Sequence, residues 1–179
     1  MIGKTDLMGS AYAYVGLGSN VGDRIGALRT AVSAIGSVPL GRVRRVSSVW
    51  ETEAHVLPGT PPQPDHLNAV VEVVTMSTPD RLLSQLHAIE RAAGRDPEAP
   101  RWAPRPLDLD LLLFGTVVLD ADGLTLPHPR IAARRFVLAP LAELAPDRVV
   151  PGLDRTVAEL LAATPDTADV RRTDLDLLG

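Results

Sequence analysis

The chain has 179 residues, 45% of them hydrophobic, with 18 basic against 22 acidic side chains and no cysteine. That length suits one domain at roughly 100–200 residues per domain, and the missing cysteines exclude thiolate zinc sites, iron–sulfur clusters, disulfide scaffolds and cysteine nucleophiles. No apolar run reaches the ~18–20 residues of a membrane span, MIGKTDLMGS lacks the apolar core of a signal peptide, and a net charge of −4 argues against a general nucleic-acid binder; a cytoplasmic protein with neither membrane nor nucleic-acid partner is expected.

Residues 1–10 read as a leader, 11–164 as the single domain and 165–179 as a polar tail. Ala11–Leu17 is apolar and runs into Gly16-Leu17-Gly18-Ser19-Asn20, a strand followed by a turn. Ile25, Leu28, Val32 and Ile35 recur at helical spacing within Arg24–Ile35. Arg42–Trp50 is read as a strand on its β-branched content, Glu51–Asp65 as a proline-rich loop, and Leu67–Val74 as a valine-rich strand. Thr78-Pro79-Asp80 predicts a helix start, with an N-cap hydroxyl and proline at the first position. Leu82, Leu83, Leu86, Ile89 and Ala93 give its buried face, and Gly94 its stop.

Arg95–Pro106 is a second irregular, proline-rich loop. Leu107–Phe114 predicts a strand with a Gly115 turn and a short return strand at Val117–Leu119, and shorter helices fall near Ala139–Ala145 and Asp154–Ala163. Strand, helix, strand, strand, helix, strand is the order of a ferredoxin-like βαββαβ sandwich. The fold class is therefore α+β with a mainly antiparallel sheet, helices on one face and C-terminal additions. Many functions share that fold, so function has to be argued from the site.

The most informative stretch is Arg105-Pro106-Leu107-Asp108-Leu109-Asp110-Leu111-Leu112-Leu113-Phe114. Alternation along a strand puts Leu107, Leu109, Leu111 and Leu113 on one face and Asp108, Asp110, Leu112 and Phe114 on the other. Two carboxylates one strand-step apart, leading into a core, repel each other and lose hydration unless cations compensate. Taken bare, the pair reads first as a wet strand end that binds nothing; its surroundings must decide for magnesium, which takes oxygen ligands and keeps part of its water shell. Thr173–Leu178 repeats the pattern at Asp174 and Asp176 with no arginine-rich loop ahead of it, and reads as solvated tail. Upstream of Asp108 lie Arg95, Arg101 and Arg105 on a loop that also carries Trp102. Lys4 is the only lysine in the chain, so cations for phosphate contact are guanidinium forks.

Arg101-Trp102-Ala103-Pro104-Arg105-Pro106-Leu107-Asp108-Leu109-Asp110 closely resembles the signature of the 6-hydroxymethyl-7,8-dihydropterin pyrophosphokinases. The resemblance extends to Gly18-Ser19-Asn20, Pro64-Asp65-His66-Leu67-Asn68-Ala69 and Leu126-Pro127-His128-Pro129-Arg130. It implies a catalytic domain over 11–164 that transfers pyrophosphate from ATP to the pterin hydroxymethyl oxygen, releasing AMP, in folate biosynthesis. It further implies Asp108 and Asp110 as ligands of two Mg2+ ions, and Arg95 and Arg105 as catalytic arginines on the phosphates. ATP would be met by His87, Glu90, Arg101, Trp102, Leu111, Thr125, His128 and Arg134, and the pterin by Thr52, His66, Asn68 and Phe136. The implied partners are these small molecules alone, with the chain acting as a monomer. The sequence departs from the family pattern at His66, where Tyr or Phe is usual, at Pro97 and Glu98, at Ala103, and in a longer Val56–Pro62 segment. An RNA-binding ferredoxin-like domain would stack bases on sheet aromatics, and only 3% of this chain is aromatic.

Overall fold

A computed structural model describes residues 9–37, 41–53, 63–96, 98 and 103–178. Strand β1 (Ala11–Ser19) leads through helix α1 (Arg24–Ser37) to β2 (Gly41–Val46) and β3 (Trp50–Thr52). Next come β4 (His66–Thr75), α2 (Pro79–Ala92) and β5 (Asp108–Phe114). The sheet runs β3-β4-β1-β5 with every neighbour antiparallel, and β2 pairs the half of β4 that β3 leaves free. This is the expected ferredoxin-like order.

The stretch read as one strand, Arg42–Trp50, is two. Ser47 interrupts it, because its hydroxyl accepts the Val70 N–H at 2.9 Å while its own N–H donates to the Val70 carbonyl. A side chain thus replaces one ladder bond and the strand bends. The start of α2 falls at Pro79 as predicted, although Thr78 makes no side-chain cap bond, and the chain turns out of the helix at Gly94 with φ +89.

Helices α1 and α2 cover one sheet face, where Leu28, Ala31, Val32, Ile35, Leu82 and Leu86 meet Ala13, Val15, Leu17, Val71 and Val73. The hairpin β6 (Leu119–Ala121) and β7 (Leu124–Leu126) follows β5, displacing the predicted return strand toward the C-terminus. Helix α3 (Arg135–Leu144), the hairpin β8 (Val149–Val150) and β9 (Arg155–Thr156), and α4 (Val157–Ala163) then close part of the opposite face. Helices therefore flank the sheet on both sides at that end, which explains why β4 is valine on both faces rather than alternating. Helix α3 starts earlier than the sequence suggests and runs through Pro140. Helix α4 opens on a capping box between Thr156 and Glu159.

A β-bulge resets β5. Val15 pairs Leu111 and Tyr14 pairs Leu113, so Leu112 is the extra residue. Beyond it the faces exchange: Leu107, Leu109, Leu111 and Phe114 lie in the α1–α2 core, and Leu112 and Leu113 in the core under α3. Strict alternation had placed Leu113 and Phe114 the other way round.

The terminal segment is docked rather than solvated. Strand β10 (Val170–Arg172) pairs β3, Thr173 donates its N–H to the Val49 carbonyl at 2.9 Å, and Leu177 is 5% exposed within the α1–α2 core. Spacing alone could not reveal this, because a three-residue edge strand and one buried leucine carry no period.

On the α3 face a polar cluster joins β1, β2 and β4, its carboxylate buried and its Arg45 side chain 45% exposed. Buried Glu72 accepts the Tyr14 hydroxyl at 2.8 Å and two bonds from Arg45, each at 2.8 Å. Burial raises the Tyr14 phenol to about 12, and the bond to Glu72 adds to the rise. Burial also pushes the Glu72 carboxyl up, but the Arg45 and Tyr14 bonds outweigh it and hold it below its ordinary 4.5. Arg45→Ala is expected to cost about 2 kcal/mol at neutral pH, since it strips a buried carboxylate of its fork. Because the folded-state value is depressed, that contribution is complete above 4.5 and fades as pH falls through the lower folded value. Denaturant melts of both proteins, at neutral and strongly acid pH, should show the gap closing in acid.

Candidate active site

The two acids open β5 at the sheet edge, and opposite them β1 presents Gly18 to Asp108 and Gly16 to Asp110. The floor beside the carboxylates is therefore bare backbone. A methyl group on Gly18 would stand 3.6 Å from the Asn68 side-chain oxygen and 3.9 Å from the Asp108 Cβ, filling the space between them.

Each acid has its own cations, drawn from different elements. Asp108 Oδ1 accepts Arg95 Nη1 at 2.9 Å and Arg105 Nη1 at 3.1 Å. Asp110 Oδ2 faces Arg134 Nη1 at 3.3 Å and His128 Nε2 at 3.8 Å. The two acid side chains keep 35% and 36% of their surface exposed, so they remain open to the cleft. Burial lowers the His128 imidazole below its ordinary 6.5, which leaves it neutral at physiological pH.

Behind the strand, Glu90 on α2 is 2% exposed. Its Oε1 accepts the Leu109 N–H at 2.7 Å and is paired with Arg95. Leu109 lies on the outer strand of the sheet, so the carboxylate replaces the strand that is missing there. Burial raises the Glu90 carboxyl, working against the Leu109 N–H and the Arg95 charge. On the same edge His128 donates its N–H to the Leu112 carbonyl at 2.9 Å.

Asn20 ties three segments together. Its Oδ1 accepts the Arg105 N–H at 2.8 Å, its N–H donates to the Arg105 carbonyl at 3.2 Å, and its Nδ2 donates to Gln63 Oε1 at 3.2 Å. The sequence reading had Asn20 only as a turn residue within a motif; a buried side chain with both donor and acceptor, just past a strand, was the available signal.

Toward β3 the cleft changes character. Asn68 donates to the Thr52 hydroxyl at 3.0 Å, His66 stands at the start of β4, and Phe136 at the head of α3 lies under the Arg134 guanidinium, 5.5 Å from its ring centre. Burial lowers the His66 imidazole. The whole is a cleft of about 590 Å3 that joins the acid–arginine end to this amide, hydroxyl and aromatic end.

The cleft gathers Thr52, His66, Asn68, Arg95, Arg105, Asp108, Asp110, Arg134 and Phe136, and His128 reaches it through Asp110. Four residues named from the sequence are not among those lining the cleft. Glu90 is behind β5, the Leu111 side chain faces the α1–α2 core, and the Thr125 hydroxyl donates to Asp120 at 3.0 Å in the β6–β7 hairpin. His87, on the exposed side of α2, is near enough for the charges of Arg95, Asp108 and Asp110 to act on its imidazole. Arg101, Trp102, Pro97 and the Val56–Pro62 segment lie outside the described residues.

The donor set suits a hard divalent cation. Among the described residues no three His, Cys, Asp or Glu side chains converge as a cage, whereas magnesium uses one or two carboxylates and completes its shell with water and substrate phosphate. Two accessible carboxylates beside three arginines meet that description.

The profile of the family described as 7,8-dihydro-6-hydroxymethylpterin-pyrophosphokinase (HPPK) matches residues 14–146. The chain belongs to this family. It is 40% identical over 156 residues to a Synechocystis 2-amino-4-hydroxy-6-hydroxymethyldihydropteridine pyrophosphokinase, covering 87% of this chain and 77% of that one. It is 42% identical over 152 residues to the Pseudomonas aeruginosa protein of the same description, covering 85% and 91%. Among solved structures, Plasmodium falciparum HPPK-DHPS with pteroate superposes with a TM-score of 0.66 at 15% identity, over 86% of this chain and 42% of that one. The chain thus spans less than half of that longer protein, and the likeness concerns the fold.

Glu90→Ala is expected to cost about 2–4 kcal/mol, through a cavity and an orphaned Leu109 N–H. Glu90→Gln keeps an acceptor for Leu109 and should cost distinctly less; denaturant unfolding of the two variants measures the difference.

Proposed function

We propose that the chain transfers pyrophosphate from ATP to the hydroxymethyl group of 6-hydroxymethyl-7,8-dihydropterin, giving AMP and the pterin pyrophosphate in folate biosynthesis. The observation that carries the reading is the paired acids on β5, Asp108 and Asp110, facing Arg95, Arg105 and Arg134 across one cleft whose other end is lined by Thr52, His66, Asn68 and Phe136. Family membership supplies the substrates.

In this reading the hydroxymethyl oxygen attacks the β-phosphorus, the bond from that phosphorus to the bridging oxygen of the α-phosphate breaks, and AMP departs while the hydroxyl proton is released. Asp108 and Asp110 are the residues that would hold two magnesium ions, which would supply positive charge against that gathering on the transferred phosphoryl oxygens. Arg95 and Arg105 pair with Asp108 in the free protein. Both guanidiniums lie on the cleft, where they would donate to the phosphates and stabilise charge as it moves toward the leaving group. Arg134 would meet the phosphates from the Asp110 side and His128 would donate a hydrogen bond there, with Arg101 and Trp102, shortly before Arg105 in the sequence, added by the family resemblance. His87 and Glu90 on α2, Leu111 by its backbone, and Thr125 complete the nucleotide side, with Glu90 acting through Arg95 and Leu109.

The pterin lies at the other end. The Asn68 amide, held by Thr52, meets its hydrogen-bonding edge, while Phe136 and neutral His66 stack on its faces. Imidazole is a smaller platform than the usual phenyl or phenol ring, so His66 grips less area. Small molecules are the only partners this reading requires. No helix among the described residues is long and apolar enough to cross a membrane. In this reading the chain is a cytoplasmic monomer, and its net charge of −4 argues against general nucleic-acid binding.

Purified protein given ATP, magnesium and hydroxymethyl-dihydropterin should release AMP in step with pterin pyrophosphate, as chromatography would register. Asp108→Ala and Asp110→Ala should each lose ~100-fold or more in turnover, and Arg105→Ala should lower turnover more than ATP affinity. Near-normal rates in both aspartate variants would remove the metal assignment.

A further inference from the structure

The C-terminal segment does more than close the sheet. Asp166, beyond α4 in the stretch that composition alone marks as tail, lines the same cleft as Phe136, and its neighbour Ala168 does too. Its Oδ2 accepts the Arg135 N–H, the first of α3, at 2.7 Å. Its Oδ1 accepts the Ala168 N–H at 3.0 Å, and its own N–H donates to Thr164 Oγ1 at 3.4 Å. The carboxylate is therefore oriented by its own turn and delivered to the helix from outside.

Helix α3 needs such a partner. Its N-cap residue is Arg134, which carries no acceptor and makes no side-chain cap bond, because its guanidinium is committed to Asp110 and the Phe136 face. Pro140 lacks the N–H that would bond the Phe136 carbonyl four residues back, so the first turn loses a rung as well. A negative charge at a helix N-terminus also meets the positive end of the helix dipole. That turn carries the aromatic wall of the cleft.

We propose that Asp166 is a positioning residue for the pterin end of the cleft: it holds the first turn of α3, and through it the Phe136 ring, in the orientation that receives substrate. The proposal rests on the reading above for the identity of the substrate, and its mechanical half does not. Among the described residues Asp166 makes no hydrogen bond or ion pair with Asp108, Asp110, Arg95 or Arg105, and Arg134, the N-cap of the same turn, keeps its own ion pair to Asp110, so removal of Asp166 acts first on the Phe136 wall and on pterin capture. Asp166 and Ala168, in a segment that β10 and Leu177 anchor to the sheet, thereby become part of the substrate site.

The test uses the full-length chain with steady-state kinetics at saturating ATP. Asp166→Ala should raise the pterin KM about fivefold, the factor an ordinary helix cap is worth, with kcat within about twofold of wild type. Asp166→Asn, an equally good cap, should restore the KM. Asp166→Glu keeps the charge and displaces the acceptor; it should raise the same constant less, and it serves where Asp166→Ala does not fold. Because both changes act through one ring, Asp166→Ala added to Phe136→Leu should leave the KM near that of Phe136→Leu alone. Amide hydrogen exchange at Arg135–Val137 should quicken in Asp166→Ala whether or not the enzyme turns over. An unchanged KM, a multiplicative double variant, an Asp166→Asn as impaired as Asp166→Ala, or unaltered exchange would overturn the proposal. Absence of AMP from the wild-type protein would instead overturn the functional reading.

Discussion

Everything in this molecule is arranged around a charge problem at the sheet edge. Asp108 and Asp110 lie two residues apart on β5, on one face, with a hydrophobic core beginning at Leu112. Left alone, the pair would repel and lose hydration, and the strand would be pushed toward solvent. The chain answers with cations from three separate places: Arg95 after α2, Arg105 in the loop before β5, and Arg134 at the head of α3. Only the complete fold assembles them, so the site is as stable as the tertiary structure and no more.

The same arrangement explains why an edge strand can carry the chemistry. An edge leaves backbone groups unpaired, which ordinarily invites association. Here Glu90 takes the Leu109 N–H and the His128 N–H takes the Leu112 carbonyl, so the edge is closed by side chain and loop instead of by another strand. The Leu109 N–H and the Leu112 carbonyl are thus satisfied without a further strand. Glu90 also holds Arg95, which holds Asp108, so helix, loop and strand share one electrostatic chain. The buried carboxylate is expensive, as its raised pKa records, and two partners keep it ionisable.

Much of this was legible in the sequence, and what was missed has common causes. The βαββαβ order followed from helical spacing in α1 and α2 and from β-branched runs in β2 and β4. The acid pair and the arginines before it stood in one stretch of sequence, whereas Thr52, His66, Asn68 and Phe136 came only through the family resemblance, and the fold brings them to the same cleft. Periodicity failed wherever a single residue changes the count: Leu112, inserted as a bulge, exchanged Leu113 and Phe114 between cores, and Ser47 split one strand into two. Glu90, Leu111 and Thr125 show a different limit. A motif says that a residue lies near a site, but only the fold says whether its side chain faces the cleft, the strand behind it or another hairpin. The tail was misread because Asp174 and Asp176 look solvated, while the residues that dock it, Leu177 and the three of β10, are too few to form a pattern.

The cleft draws its walls from both ends of the chain. Asn20, at the close of β1, grips Arg105 and reaches Gln63, so the loop carrying the arginine and the approach to β4 are referred to one buried amide. The opposite wall depends on α3, whose side-chain bonds at its first turn go outward to Asp110 and are replaced from the C-terminal segment by Asp166. A site that must bring two substrates into line gains from walls fixed independently, because each binding energy can then be spent on orientation instead of on ordering the protein. Glycines at 16 and 18 leave the floor empty between those walls. The walls are thus held by hydrogen bonds from separate segments, and the acid end of the cleft by ion pairs that leave both carboxylates about one-third exposed.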